Sequence, residues 1–239
     1  MNLRIYKTTE ELTLDLANYI IEIAQTAIEK NDRFNFVLTG GNSPKALYTF
    51  LATEYRNKID WNKVFFFFGD ERTVPANDEN YNGLMAKRSF FDILETSENH
   101  IFYVNTTLDP EAAAADYKSR IDKHFDNNDL VFDLILLGMG DDAHTASIFP
   151  HTTLVADTEA TVASVFVEKL NTHRISLTAP LINKALNVAF LVFGANKAEA
   201  LKHVIKDEQK EVNNYPSQLI QPIDGKLTWF VDEAASSLL

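Results

Sequence analysis

The chain has 239 residues, 46% hydrophobic and 23% charged, which is the composition of an ordinary globular protein long enough to bury a sizeable core. Its formal net charge of −12 argues against a general nucleic-acid or anionic-membrane binder, because both need a basic face, although a local cationic pocket can still bind an anionic substrate. The absence of cysteine excludes disulfides, thiolate nucleophiles and cysteine-ligated zinc.

The sequence contains no recognisable targeting segment. The N-terminal stretch MNLRIYKTTEELTLDL lacks a basic segment followed by an apolar core, so no signal peptide is predicted. The longest unbroken apolar runs, such as VFFFF at 64–68, are far too short to span a membrane. We therefore expect a soluble cytoplasmic protein.

Apolar strand-like segments alternate with amphipathic helical segments along the whole chain. Apolar residues at spacings of three and four predict the helices, and Asp109-Pro110 is a typical helix start. In chain order the predicted elements are a helix over 9–30, a strand over 34–38, a helix over 44–54, a strand over 64–68, helices over 82–94 and 110–125, strands over 132–137 and 162–167, a helix over 178–186, a strand over 188–193, a helix over 196–206 and a strand over 227–231. This order predicts an α/β fold: a single domain over residues 1–239, with a mostly parallel, doubly wound sheet and flanking helices.

Four polar loops follow predicted strands, and the ligands of such sheets bind at the carboxyl ends of the strands. The first loop runs from Thr39 to Lys45. Its adjacent glycines, Gly40 and Gly41, allow the backbone to approach a ligand closely, and Ser43 can cap the following helix. Free N–H groups at a helix start favour an anion, so the loop is either a phosphate site or a plain strand–helix turn. It is not a Walker loop, because GxxxxGK[ST] is absent.

The second loop, Gly69-Asp70-Glu71-Arg72, places three consecutive charged residues directly after a strongly buried strand. Asp70 and Arg72 either face a substrate or belong to an internal carboxylate–arginine pair that ties down the loop. Both interpretations can hold, because a paired carboxylate also orients an arginine toward a ligand.

The third loop, GMGDDAHTASIFP at 138–150, admits two interpretations. Its first six residues fit the dinucleotide fingerprint GxGxxG/A, but Pro150 follows too soon for the required helix and two aspartates would face the pyrophosphate. No dinucleotide site is therefore predicted. Instead we expect His144 to act as a general base whose ring is oriented by Asp142. A serine nucleophile is not expected, because no G-x-S-x-G elbow is present.

Two cations complete the candidate site. Arg174 in THRISLT and Lys197 in FGANKAEAL each lie beside a predicted strand end, and Lys197 belongs to the fourth polar loop, which follows the strand over 188–193. Either one alone would ordinarily face solvent. Together with the glycine loop, they would form a phosphate site with two cations and backbone N–H donors.

The segments LTGGNSPKALY, GDERTVP, GMGDDAHTASIFP, RISLTAPLINKA, FLVFGANKAEAL and YPSQLIQPIDGKLTWFVDEAA resemble the 6-phosphogluconolactonase family, within the larger group that includes glucosamine-6-phosphate deaminase. They occur in the family's order and span nearly the whole chain. The resemblance implies a modified Rossmann-like sheet without a nucleotide, another cofactor or a required metal. It also implies hydrolysis of 6-phospho-D-glucono-1,5-lactone to 6-phospho-D-gluconate in the oxidative pentose phosphate pathway. The expected partner is that small sugar-phosphate lactone rather than nucleic acid or a membrane.

By position, the resemblance implies that His144 is the general base and Asp142 its acidic neighbour. The residues expected to bind substrate, from the resemblance and from the loops themselves, are Thr39, Gly40, Gly41, Ser43, Asp70, Arg72, Arg174 and Lys197. Two positions depart from the family's pattern. Ala143 stands where the family usually has glycine, and a positive φ there would cost alanine about 1 kcal/mol. Tyr81-Asn82 replaces a frequent Ser-Asn, so a substrate contact from serine is missing.

The stretch after His144 distinguishes activities within the group. Deaminases resemble one another in a HIAFNEP-like stretch whose glutamate assists ring opening, whereas HTASIFP here has Ile148 and Phe149 before the proline. Lactone hydrolysis does not need that glutamate, so hydrolysis is predicted. Two alternatives stay open: an enzyme like the glucosamine-6-phosphate deaminase/isomerases, and a non-catalytic sugar-phosphate-binding protein whose loop is disabled by Ala143.

Overall fold

Nine strands form two sheets in the computed structural model, which describes residues 1–126 and 129–239. The strands are β1 (Asn2–Tyr6), β2 (Phe34–Leu38), β3 (Val64–Phe68), β4 (Asp70–Arg72), β5 (Leu134–Gly138), β6 (Val162–Val167), β7 (Thr172–Leu177), β8 (Asn187–Val192) and β9 (Lys226–Asp232). The main sheet has the order β1-β9-β8-β5-β2-β3, and all its neighbouring strands are parallel. The second sheet, β4-β7-β6, is antiparallel.

Helices connect the parallel strands. They are α1 (Thr9–Asn31), α2 (Pro44–Glu54), α3 (Asn82–Ala86), α4 (Asp92–Leu94), α5 (Pro110–His124), α6 (Ala179–Ile182) and α7 (Ala198–Lys206), and a π-helical turn (Lys87–Phe91) joins α3 to α4. The predicted helix starting at Pro110 is confirmed, and the one predicted over 178–186 is shorter. None of the helices in the described part of the chain is long and apolar enough to cross a membrane.

Alternate side chains of β2 and β3 enter two separate hydrophobic cores, one on each face of the main sheet. Phe36 and Phe66 pack in the core that includes α1 and α2. Val37 and Phe67 pack in the core that includes α5, β6 and β7. Period-two alternation in strands that are buried on both sides produces this arrangement. The predicted doubly wound α/β fold is therefore confirmed.

All six predicted strands are present, but the segment over 162–167 does not join the parallel sheet. As β6 it pairs antiparallel with β7, which was not predicted. The connection over 168–171 is too short for the crossover that parallel strands need, so a hairpin forms. Asn171 allows the tight turn by adopting a left-handed conformation, with φ of 47°.

The carboxyl ends of β2, β3, β5 and β8 meet at one edge of the main sheet. Leu38 at the end of β2 pairs with Phe68 at the end of β3, and Gly138 at the end of β5 pairs with Leu191 of β8. The strand β4 begins just after Phe68 and carries the chain into the antiparallel sheet. The four polar loops therefore start at one edge.

Candidate active site

A cavity of about 320 Å³ lies at this edge. The residues predicted from the sequence that line it are Thr39, Gly40, Gly41, Ser43, Asp70, Arg72, His144, Arg174 and Lys197. Asp142 lies in the wall of a neighbouring cavity and contacts this one through a hydrogen bond to His144. The fold thus gathers the predicted residues of all four loops in one place.

The glycine loop packs against the loop that carries His144. The Gly138 N–H donates to Thr39 Oγ1 at 3.2 Å, and the Thr39 backbone is held by the Tyr48 hydroxyl at 2.8 and 3.0 Å. Both glycines are required: Gly41 has a φ of 87°, and a Cβ at Gly40 would lie 2.1 Å from an oxygen of Asn82.

The predicted capping role of Ser43 is wrong. Ser43 has helical backbone angles, φ −57° and ψ −44°, and its side chain makes no capping hydrogen bond. A residue that caps through its side chain needs an extended backbone, so the helical conformation of Ser43 prevents this contact. Ser43 instead lines the cavity, at the start of α2. The dipole of that helix start favours an anion there.

The chain turns tightly between Gly140 and His144. The Gly140 N–H donates to the His144 carbonyl at 2.8 Å, and the Ala143 N–H donates to the Gly140 carbonyl at 3.2 Å. Ala143 has a φ of 59°, so this position does require the left-handed conformation. The Ser217 N–H and hydroxyl hold the Ala143 carbonyl at 3.0 and 2.7 Å. No helix directly follows β5 in this described stretch, so the dinucleotide interpretation is excluded.

His144 and Asp142 form a hydrogen-bonded pair. His144 Nδ1 lies 2.5 Å from Asp142 Oδ1, and Lys169 Nζ lies 3.0 Å from Asp142 Oδ2. Burial alone would raise the pKa of Asp142, but the hydrogen bonds and charges of His144 and Lys169 outweigh it and hold that pKa well below its ordinary value. Asp142 is therefore an ionised acceptor that fixes the orientation of the imidazole.

Two further contacts keep the His144 ring in place. The ring stacks on Phe149, with centroids 3.9 Å apart and planes 17° apart. Gly140 lies directly against the ring, because a Cβ there would be 2.0 Å from His144 Nδ1. The imidazole is thus held between an aromatic face and the turn's own backbone.

The serine of this loop has a structural contact. The Ser147 hydroxyl donates to Asp70 Oδ2 at 2.7 Å, and the Ser147 N–H donates to the Ser176 hydroxyl at 3.1 Å. Ser147 therefore joins the His144 loop to β4 and β7. Its hydroxyl donates to Asp70 instead of to the imidazole, which agrees with the expectation that it is not a nucleophile.

Glu71 lies fully buried beneath the cavity. It does not pair with the Arg72 guanidinium: Glu71 Oε1 accepts from the backbone N–H groups of Arg72 and Asn82, both at 2.8 Å, and Oε2 accepts from the Gly83 N–H at 2.9 Å. Burial raises the pKa of Glu71 to about 8, although these N–H groups act against the increase. The carboxyl group ties the start of α3 to β4.

Tyr81, at the position where the family frequently has serine, points away from the cavity. Its hydroxyl donates to the Val104 carbonyl at 2.9 Å and its ring lines a different cavity. The neighbouring Asn82 is buried against Gly40, and its Nδ2 donates to the Asp70 carbonyl at 2.9 Å. No substrate contact from position 81 is therefore available in this conformation.

Three cations line the cavity without carboxylate partners. Arg72 on β4 stands directly opposite Arg174 on β7. Burial, and then repulsion from Arg72, lower the pKa of Arg174. Among the ion pairs of the described residues, none involves Arg72, Arg174 or Lys197. Like charges that face each other destabilise a sheet, so this group is suited to an anion that neutralises it.

Lys169 and Phe149 were not predicted as functional residues. Lys169 sits in the hairpin between β6 and β7, and a lone exposed lysine in a turn carries no sequence signal. Phe149 belongs to the apolar pattern HTASIFP, which indicates core packing as readily as ring stacking. Only the hairpin pairing, which places Lys169 and Leu170 at the cavity, could have pointed to Lys169.

Comparisons with known proteins agree with this geometry. A family model described as glucosamine-6-phosphate isomerases/6-phosphogluconolactonase matches residues 7–229. The chain is 40% identical over 234 residues to a 6-phosphogluconolactonase of Nostoc sp., covering 95% of this chain and 92% of the relative. It is 34% identical over 249 residues to a probable 6-phosphogluconolactonase 1 of Arabidopsis thaliana, covering 99% and 93%. The structure of a 6-phosphogluconolactonase from Trypanosoma cruzi matches with a TM-score of 0.88 at 26% identity, covering 100% of this chain and 96% of that one. The chain belongs to the glucosamine-6-phosphate isomerase/6-phosphogluconolactonase family.

Proposed function

We propose that the protein hydrolyses 6-phospho-D-glucono-1,5-lactone to 6-phospho-D-gluconate, the lactone-opening step of the oxidative pentose phosphate pathway, with residues 1–239 acting as one domain. One observation carries the proposal: a single cavity of about 320 Å³ holds both the His144 ring, paired with Asp142, and the cations Arg174 and Lys197. A base next to an anion site suits a lactone that carries a phosphate. The names of the full-length relatives support the same substrate.

In this mechanism His144 is the general base. Its Nδ1–H donates to Asp142, so the Nε2 lone pair is left for the cavity. Nε2 takes a proton from water as the water oxygen attacks the lactone carbonyl, and ionised Asp142 stabilises the imidazolium that forms. The proton then passes to the ring oxygen as the C–O bond breaks, which yields the open-chain acid. The transient oxyanion needs donors, which Arg72 or backbone N–H groups of the cavity supply.

The phosphate binds at the other side of the cavity. The loop from Thr39 to Ser43 offers the start of α2, and Arg174 and Lys197 offer two positive charges. Asp232 accepts the Gly194 N–H at 3.0 and 3.1 Å and so fixes the turn that carries Lys197. Binding energy at the phosphate holds the lactone carbonyl near His144.

Hydrolysis fits the loop better than deamination does. In deaminases of the group the stretch after the histidine carries a glutamate, whereas here Ile148 is fully buried and Phe149 stacks on the imidazole. The space beside the ring is thus filled by an aromatic side chain instead of a second acid–base group.

The test is an assay of the purified protein on the phosphorylated lactone, corrected for spontaneous opening in water. We expect His144→Ala to reduce turnover by about 10²- to 10⁴-fold, the usual contribution of a positioned general base, with an unchanged melting temperature. Near-normal activity of that variant would contradict the assignment of the base. Ammonia release from glucosamine 6-phosphate, or ligand-induced stabilisation without any turnover, would replace the proposal by one of the two alternatives.

A further inference from the structure

A lysine contacts the His144–Asp142 pair from the hairpin between β6 and β7. Lys169 Nζ lies 3.0 Å from Asp142 Oδ2, while Asp142 Oδ1 is the oxygen bonded to His144. Each carboxylate oxygen therefore has its own partner. Resting on the proposed function, we propose that Lys169 is a positioning residue for lactone hydrolysis: it fixes the Asp142 carboxylate so that His144 presents Nε2 to the substrate.

Within the turn the Asp142 carboxylate is held at Oδ1 alone, which accepts from the His144 N–H at 3.2 Å as well as from the ring, so Lys169 supplies the restraint on Oδ2. The hydrogen bonds that close the turn run between main-chain atoms of Gly140, Ala143 and His144. An aspartate carboxylate rotates readily about its terminal bond, since that torsion is broad. With Oδ2 held by Lys169, only Oδ1 is available to the imidazole. A small misplacement of a reacting group can reduce the rate strongly, so this restraint matters for turnover.

The same contact joins the loop of the general base to the hairpin that carries Arg174. Lys169 lies in the helical turn Glu168–Leu170, and the chain then continues into β7, which carries Arg174. Lys169 and Leu170 both line the cavity. One ion pair therefore connects the loop that bears His144 to the hairpin that bears a phosphate-binding cation.

A contribution to folding does not account for the contact. The Lys169 side chain is 64% exposed, and ion pairs at exposed sites stabilise proteins little. The other charged groups around the ring and around Lys169 are unchanged in a Lys169 variant: Asp70, Arg72, Asp141, Arg174 and Lys197.

The experiment compares Lys169→Met and Lys169→Arg with wild type in the lactone assay. For Lys169→Met we expect kcat to fall about five- to twentyfold with KM within about twofold. Lys169→Arg should restore kcat. The melting temperature of each variant should stay within about 3 °C of wild type.

The matched control is Lys63→Met. Lys63 forms a comparable exposed ion pair, 2.6 Å from Asp32, away from the cavity, so its loss should leave kcat unchanged. A Lys169→Met enzyme with wild-type kcat would overturn the inference. If the KM of that variant were raised at unchanged kcat, Lys169 would instead bind the substrate directly. Both outcomes leave the proposed function intact as long as His144→Ala is inactive. An active His144→Ala would instead overturn the proposed function.

Discussion

Ala143 is the residue on which the active-site loop depends most directly. Its φ of 59° lies where glycine is usual, and the residue is fully buried. The strain of about 1 kcal/mol is borne because the carbonyl of Ala143 accepts two hydrogen bonds from Ser217 and the turn is closed on both sides. The turn therefore forms with alanine in place, and His144 reaches Asp142 in its presence.

Substitutions of Ala143 test this account. In Ala143→Gly, relief of strain is offset by the greater freedom of the unfolded chain and the loss of a buried methyl group. We expect the free energy of unfolding to change by no more than about 1 kcal/mol, and lactonase activity by no more than about threefold. In Ala143→Val, a β-branched residue at positive φ in a packed site should cost about 3 kcal/mol.

Urea unfolding of both variants, with the lactone assay alongside, measures these effects. A Gly variant with activity tenfold above or below wild type would show that the Ala143 methyl group decides how His144 is presented. A Val variant as stable as wild type would show that the loop has another conformation available.

At the scale of elements, the sequence predicts the strands in which apolar and polar residues alternate or in which all residues are apolar. It does not predict the strands that are short or polar. β3, VFFFF, is unmistakable, whereas β4 consists of three charged residues, a composition that indicates a loop. No periodicity can reveal such a strand, because its pairing with β7 is set by tertiary contacts. For the same reason Asp70, Arg72 and Arg174 were recognised as candidates while the register that sets Arg72 opposite Arg174 was not.

Glu71 gives the junction between β4 and α3 a pH-dependent stability. Its folded-state pKa of about 8 lies above that of an ordinary glutamate. Between about pH 4.5 and pH 8 this carboxyl group is therefore protonated in the folded protein and ionised in the unfolded chain. The free energy of unfolding should therefore fall as pH rises through this interval. The decrease attributable to this group is about 1.4 kcal/mol for each pH unit over which the proton stays bound only in the folded state.

Glu71→Gln removes the titration and isolates its effect. The advantage in stability of wild type over the variant should be largest near pH 5 and smaller at pH 8, as measured by urea unfolding at several pH values. The side-chain amide of the variant would also place an NH₂ group next to the three backbone N–H groups that donate to the Glu71 carboxylate. Because donors would then face donors, the variant should be the less stable protein at pH 5. An advantage that grows with pH would show that the folded protein prefers the ionised carboxylate.

At the scale of the whole molecule, an acidic protein keeps a cationic cavity. The net charge of −12 is spread over the chain, while Arg72, Arg174 and Lys197 converge on one site without carboxylate partners. Placing Arg174 there has a cost, since burial and repulsion from Arg72 both disfavour its charge. The unliganded protein thus carries electrostatic strain that a bound anion would relieve.

This arrangement predicts that Arg174→Met weakens ligand binding without lowering the stability of the unliganded protein. Without ligand, the variant should be as stable as wild type or more stable, because a buried, repelled charge is removed. Saturating 6-phosphogluconate, at about 100 times its Kd, should stabilise wild type by about 2.7 kcal/mol and raise its melting temperature by about 5–10 °C. The variant should lose most of this increase, together with its preference for the phosphorylated over the unphosphorylated lactone.

The control variant is Arg88→Met, which removes an exposed arginine paired with Glu79 and should keep both the increase and the preference. If Arg174→Met were destabilised without ligand yet retained the full ligand-induced shift, Arg174 would be a structural residue and the phosphate would bind elsewhere.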